Sequence, residues 1–152
     1  MLLAGLAVGA VLGPGIAGLL YGLPLIKQAD IVQVWFAGQA DFGPEQAEGE
    51  KHFRTARWST LRPGDCTIED AQITVGRDGV ASFVARVKSK DVGDRYCVIL
   101  DFYDHRQFKI WHAPRICTPF DLRDGFLSWN ANLAIPESQY RFLAFALRED
   151  HC

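Results

Sequence analysis

The sequence predicts a mainly β protein: an antiparallel β-sandwich or barrel-like domain preceded by a single N-terminal hydrophobic, transmembrane helix. Three observations carry that expectation. Residues 1–26 hold no charged side chain, while all 16 basic and 18 acidic residues fall in the rest of the 152-residue chain. Beyond residue 53, apolar and polar residues alternate in short runs broken by Gly-, Pro- and Asp-containing turns, the period-two pattern of strands. All four cysteines also lie in this later part, and none belongs to a CxxC pair.

The leader runs from Leu2 to Ile26 as LLAGLAVGAVLGPGIAGLLYGLPLI. Wound as a helix at 1.5 Å per residue it would extend about 37 Å, ample for a hydrocarbon core of about 30 Å. A cleaved signal needs a basic start and a small-x-small cleavage site. Here the start is only Met1, and Lys27-Gln28-Ala29 places a lysine where a small residue is wanted. Residues 1–28 are therefore read as a retained transmembrane anchor, in preference to a cleaved signal or a buried or interfacial hairpin. Gly5, Gly9 and Gly13 recur every four residues, which puts them on nearly one face. In lipid, where no hydrophobic gain drives helices together, such a face lets another helix approach closely. Pro14, between Gly13 and Gly15, should kink the helix. Tyr21 and Lys27 suit an interface, but one lysine barely constrains orientation.

Residues 29–52 read as an interfacial segment and linker. Ile31–Phe36 is a short β-branched and aromatic run, and 37–52 is rich in Gly, Glu and Gln without a period. The β domain is expected over 53–152. Its elements follow in order: a strand at Phe53–Trp58; a turn at Arg62-Pro63-Gly64-Asp65; a strand in which Ala71, Ile73 and Val75 alternate with polar neighbours. Gly76-Arg77-Asp78-Gly79 then turns the chain into Val80–Lys88. After a turn at Asp91–Asp94, the run Tyr96–Tyr103 is apolar on both faces, as in a central strand. Asp104–Gln107 turns it back into Phe108–His112. Further strands are expected around Phe126–Trp129 and Tyr140–Leu147. The latter is ambiguous, because Pro136-Glu137-Ser138 equally suits a helix start.

An even number of cysteines behind a membrane-targeting segment favours disulfides in an oxidising compartment. Four cysteines allow three connectivities. The turn at Asp104–Gln107 brings Cys97 toward residues 113–117, so Cys97–Cys117 is the favoured pair and leaves Cys66–Cys152.

Chemistry is sparsely marked. Neither a GxSxG, an HExxH, a Walker A loop nor a GxGxxG is present, so no catalytic residue, metal ligand or cofactor is expected. The densest polar cluster is Asp101, Asp104 and His105, with His112 following. A hairpin would let Asp101 face the returning strand as a carboxylate–imidazole pair, although Asp104 and His105 read more simply as turn residues. Trp58, Trp111 and Trp129 could line a ligand face or fill a core. His151 beside Cys152 reads as a solvated tail residue, and Arg54, Arg57 and Arg62 as a solvated basic face. A net charge of −2 and a pI near 6.1 argue against nucleic acid as partner. The expected function is that of a non-catalytic, membrane-anchored accessory or structural subunit of a larger membrane or envelope complex. Its partners would be other membrane protein subunits and the lipid bilayer, with the body on the periplasmic or extracellular side. The alternatives are a secreted antibacterial effector with a membrane-inserting leader, and an envelope ligand-binding module.

Overall fold

The computed structural model describes residues 38–152. The expected anchor helix, its Gly5, Gly9 and Gly13 face, and the run Ile31–Phe36 lie outside the described residues. Among the described residues no helix is long and apolar enough to cross a membrane.

Among the described residues ten strands form two antiparallel sheets. They are β1 (Gln39–Asp41), β2 (Gln46–Glu48), β3 (Lys51–Arg57), β4 (Cys66–Gly76), β5 (Val80–Ser89), β6 (Cys97–Tyr103), β7 (Lys109–His112), β8 (Ile116–Cys117), β9 (Leu127–Ala134) and β10 (Phe145–His151). The first sheet has the order β1-β10-β6-β7, with β8 also on β6; the second has the order β2-β3-β4-β5-β9. The protein is thus mainly β, as the alternation implies, and both sheets feed one core.

Alternation decides which side chains enter that core. Ala81, Phe83, Ala85 and Val87 of β5 point inward, as do Trp129 and Ala131 of β9 and Val98, Leu100 and Phe102 of β6. In β4 the inward positions change parity, from Cys66 and Ile68 to Ala71, Ile73 and Val75. A bulge between Glu69 and Gln72 makes the change possible, with Asp70 at φ 51° absorbing the extra residue. Without that insertion, half the apolar residues of the strand would face solvent. Trp129 sits edge-on to Phe83 and Tyr96, at centroid distances of 5.6 and 5.5 Å.

Some elements depart from the sequence reading. The segment 37–52, read as linker, holds β1, β2 and the first residues of β3. Strands of three residues are too short to show a period, and these form because β10 and β3 offer them partners. The strand near Phe126–Trp129 continues to Ala134, since Leu127, Trp129, Ala131 and Leu133 keep alternating with Ser128, Asn130 and Asn132. At the C-terminal end a 3₁₀ helix (Glu137–Phe142) precedes β10. The helix start at Pro136 and the later strand are therefore both present, in sequence.

Gly79 closes the β4–β5 hairpin at φ +82°, and its amide donates to the Gly76 carbonyl at 2.9 Å. A Cβ there would collide with the Ile135 carbonyl oxygen, while the Ile135 amide donates to the Gly79 carbonyl at 2.8 Å. Gly79→Ala should therefore destabilise the body by about 1–3 kcal/mol, read as a lower midpoint in chemical unfolding followed by tryptophan fluorescence. An unchanged midpoint would contradict this role.

Candidate functional site

The two disulfides are the first candidate feature. Cys97 and Cys117 face each other in the β6–β8 register, with Cα atoms 3.9 Å apart. Cys66, at the start of β4, is bonded to Cys152, just after β10, with Cα atoms 6.0 Å apart. The first bond lies within one sheet. The second joins the two sheets. All four cysteines of the chain are bonded, and none is free.

Carboxylates gather beside the inter-sheet bond. The Ser89 hydroxyl donates to Asp94 at 2.6 Å, and the Cys152 sulfur lies 3.8 Å from the same carboxylate. The negative charge of Asp65, together with its acceptance of a hydrogen bond from the protonated Asp91 carboxyl, raises Asp91 above its usual range. Cys66, Asp94 and Cys152 come close enough to suggest a metal site. Their two sulfurs are bonded to each other, however, and offer no thiolate to a metal.

Inside the core, one inward row of β10 is polar. Arg148 and Asp150 follow Ala146, opposite Leu100 and Val98. The Arg148 guanidinium is fully buried, donates through Nε to the Asp150 carboxylate at 3.1 Å and lies over the Trp58 ring at 5.3 Å. Tyr96 donates its hydroxyl to Asp150. Burial first, then the Asp150 charge, drives the Tyr96 hydroxyl well above its ordinary range and keeps it protonated. Trp58 donates its indole N–H to the Gly38 carbonyl at 2.8 Å. Trp58 and Trp129 are thus core residues, and Trp111 is half-buried against the core. That places two of the three tryptophans away from any ligand face.

Three histidine–carboxylate pairs remain among the described residues, two of them joined by a further cation. Register sets Asp101 directly across from His112, a pairing the hairpin reading allowed without favouring, and the two bond at 2.5 Å while Lys109 holds the same carboxylate at 2.8 Å. Burial alone would raise the Asp101 carboxyl, but the Lys109 and His112 bonds outweigh it and hold it below its usual range. Asp104 instead accepts two turn amides, from Arg106 and Phe108, at 2.9 Å each, and His105 is exposed at the turn. His151 lies 2.8 Å from Glu149.

The third pair is one that sequence reading passed over. Glu45, between β1 and β2, lies 3.2 Å from His52 and pairs with Arg77. The buried Tyr140, on the 3₁₀ helix, lines the same groove as Glu45, and its hydroxyl makes no hydrogen bond among the described residues. The Tyr140 hydroxyl, then Arg77 and His52, hold the Glu45 carboxyl below its usual range against desolvation. Tyr140 is pushed up to about 12 by burial and by Glu45. These residues border two open grooves of about 810 and 910 Å³ that share Arg77 and Glu137. Arg54, read as a solvated base, instead donates to the carbonyls of Gly43, Phe42 and Leu143, stitching the loops around β1 together. Arg57 and Arg62 are exposed.

Among the described residues, neither His52 nor His112 is hydrogen-bonded to a Ser, Thr or Cys. Neither pair therefore forms a nucleophile–base arrangement. What the described surface offers is a disulfide-bonded frame with grooves and strand edges.

No family model matches the sequence, and no curated protein matches it. Among solved structures, the chain is similar to the Salmonella enterica trimeric lipoprotein SadB, at 8% identity and a TM-score of 0.38, over 95% of this chain and 77% of that one.

Two measurements follow from the side-chain geometry. Alkylation of the denatured, unreduced protein should label no thiol, because all four sulfurs are bonded; four labelled thiols would contradict both bonds. Asp101→Asn should cost less than about 1 kcal/mol at neutral pH, because the ion pairs it removes are exposed. The folded-state pKa of Asp101 lies below the unfolded value, so its contribution is complete above the ordinary carboxylate range near 4 and fades as pH falls through the folded value. The difference between wild type and variant should shrink on acidification. A difference that grows toward low pH would refute the pairing.

Proposed function

We propose that this protein is a non-catalytic accessory or structural subunit of a larger membrane or envelope protein complex. In this reading residues 1–28 anchor it as a single pass, and the β body stands on the periplasmic or extracellular side. The observation that carries the reading is the pairing of all four cysteines in two disulfides. Such bonds persist in oxidising compartments and are rare in the cytosol. A domain braced in this way is suited to holding a surface in fixed geometry, and the histidine pairs without nucleophiles fit a binding role better than a hydrolytic one. The charge-free leader supplies the bilayer attachment, and its Gly5, Gly9 and Gly13 face supplies a close-packing surface for a helix of another subunit.

Replacing Gly9 with Leu fills that groove without adding charge. The variant should still enter the membrane fraction but lose co-purifying membrane proteins when solubilised in mild detergent. Retention of the same partners at the same ratio would remove the helix-packing role.

A further inference from the structure

Most outer strands of the two sheets are guarded. β1 and β2 have three residues each, and β8 has two and is tied by the Cys97–Cys117 bond. β7 has four, begins with Lys109, and is broken in register between Phe102 and Tyr103 on its neighbour. Short length, charge and irregularity are the usual devices that stop a sheet edge from recruiting another strand.

β9 has none of them. It pairs with β5 through eight consecutive residues without a shift. Its sequence, LSWNANLA, contains no proline and no charge. Among the described residues β5 is its only strand partner, and no other backbone group hydrogen-bonds to residues 127–134. The outward-pointing backbone groups of an eight-residue strand are thus free of partners among the described residues.

We propose that β9 is a dimerisation edge, pairing antiparallel with β9 of a second copy about a twofold axis. The two second sheets would then join into one continuous ten-stranded sheet. The inference goes beyond the accessory-subunit reading and does not depend on it. The choice of a second copy rests on the strand's complementarity to itself. Any antiparallel register that keeps the two faces apart sets Ser128, Asn130 and Asn132 against one another on the outer face. It sets Leu127, Trp129, Ala131 and Leu133 against one another on the core face. No like charges meet, amide side chains face amide side chains, and the half-exposed Leu127 and Leu133 gain apolar neighbours. Isologous twofold pairing also closes the edge, where a head-to-tail arrangement would leave another strand open.

The test uses the full chain in detergent micelles. Sedimentation equilibrium should give a protein mass of two copies for the wild type and for Gly9→Leu, which separates this contact from leader packing. In Asn130→Lys with Asn132→Lys, lysines confront lysines across the axis, and the mass should fall to one copy with the thermal midpoint and both disulfides retained. A wild-type monomer, or a lysine variant that stays dimeric, would overturn the proposal. If the lysine variant fails to fold, hydrogen exchange on the wild type decides. The outer β9 amides should be protected at high concentration and exposed on dilution. Protection that persists in a monomer would mean another segment of the same chain covers the edge, and would overturn the dimer equally.

Discussion

The Cys66–Cys152 bond is the constraint on which the rest of the body depends, because it is the covalent cross-link between the two sheets beyond the connections of the chain itself. It closes a separation of 86 residues, and the Cys97–Cys117 bond inside it closes 20. In the chain-entropy picture these closures are worth about 4–5 and about 3 kcal/mol taken singly, and less than their sum together because one loop is nested in the other. Against a typical domain stability of about 5–15 kcal/mol, either is a large share. The longer closure fixes where β10 lies relative to β4. The register of β10 on β6 turns its polar row inward, and pairing with β5 puts β9 at the far edge of the second sheet.

The buried Arg148, Asp150 and Tyr96 group follows from the same arrangement. A lone buried guanidinium would cost several kcal/mol, and pairing with Asp150 offsets only part of that. Arg148 Nη1 and Nη2 make no hydrogen bond, so the group reads as a specifier of strand register more than a source of stability. A one-residue slip of β10 would carry both charges out of the core and bring Leu147 and Glu149 in. Arg54 performs a related service at the surface, where three loop carbonyls share one guanidinium.

Much of this was legible from residues alone, and the reasons differ by element. β5 alternates over its full length and β6 from Val98 onward, and Gly79, with its positive φ, marks the hairpin before β5. Cys97–Cys117 is readable because a hairpin brings the two positions together locally, and Cys66–Cys152 then follows as the remaining pair. β1 and β2 were invisible because three residues carry no period and their formation depends on distant partners. The parity change in β4 was invisible too, since it turns on Asp70 adopting a left-handed conformation in a bulge. The Glu45–His52–Arg77–Tyr140 group was missed because its members come from four separate segments. Arg148 and Asp150 looked like ordinary polar residues, since burial of a charge is a property of the tertiary arrangement.

The two disulfides fit a body that folds in an oxidising space, and the proposed function adds a membrane beside it through the charge-free leader. That location is the central claim, and it is most directly tested by treating intact cells, stripped of any outer layer, with a membrane-impermeant amine reagent. The exposed Lys51, Lys90 and Lys109 report on the body. The account requires these lysines to be modified while a cytoplasmic marker protein is spared. Lysines that stay unmodified until the membrane is permeabilised would place the body in the cytoplasm and contradict the account.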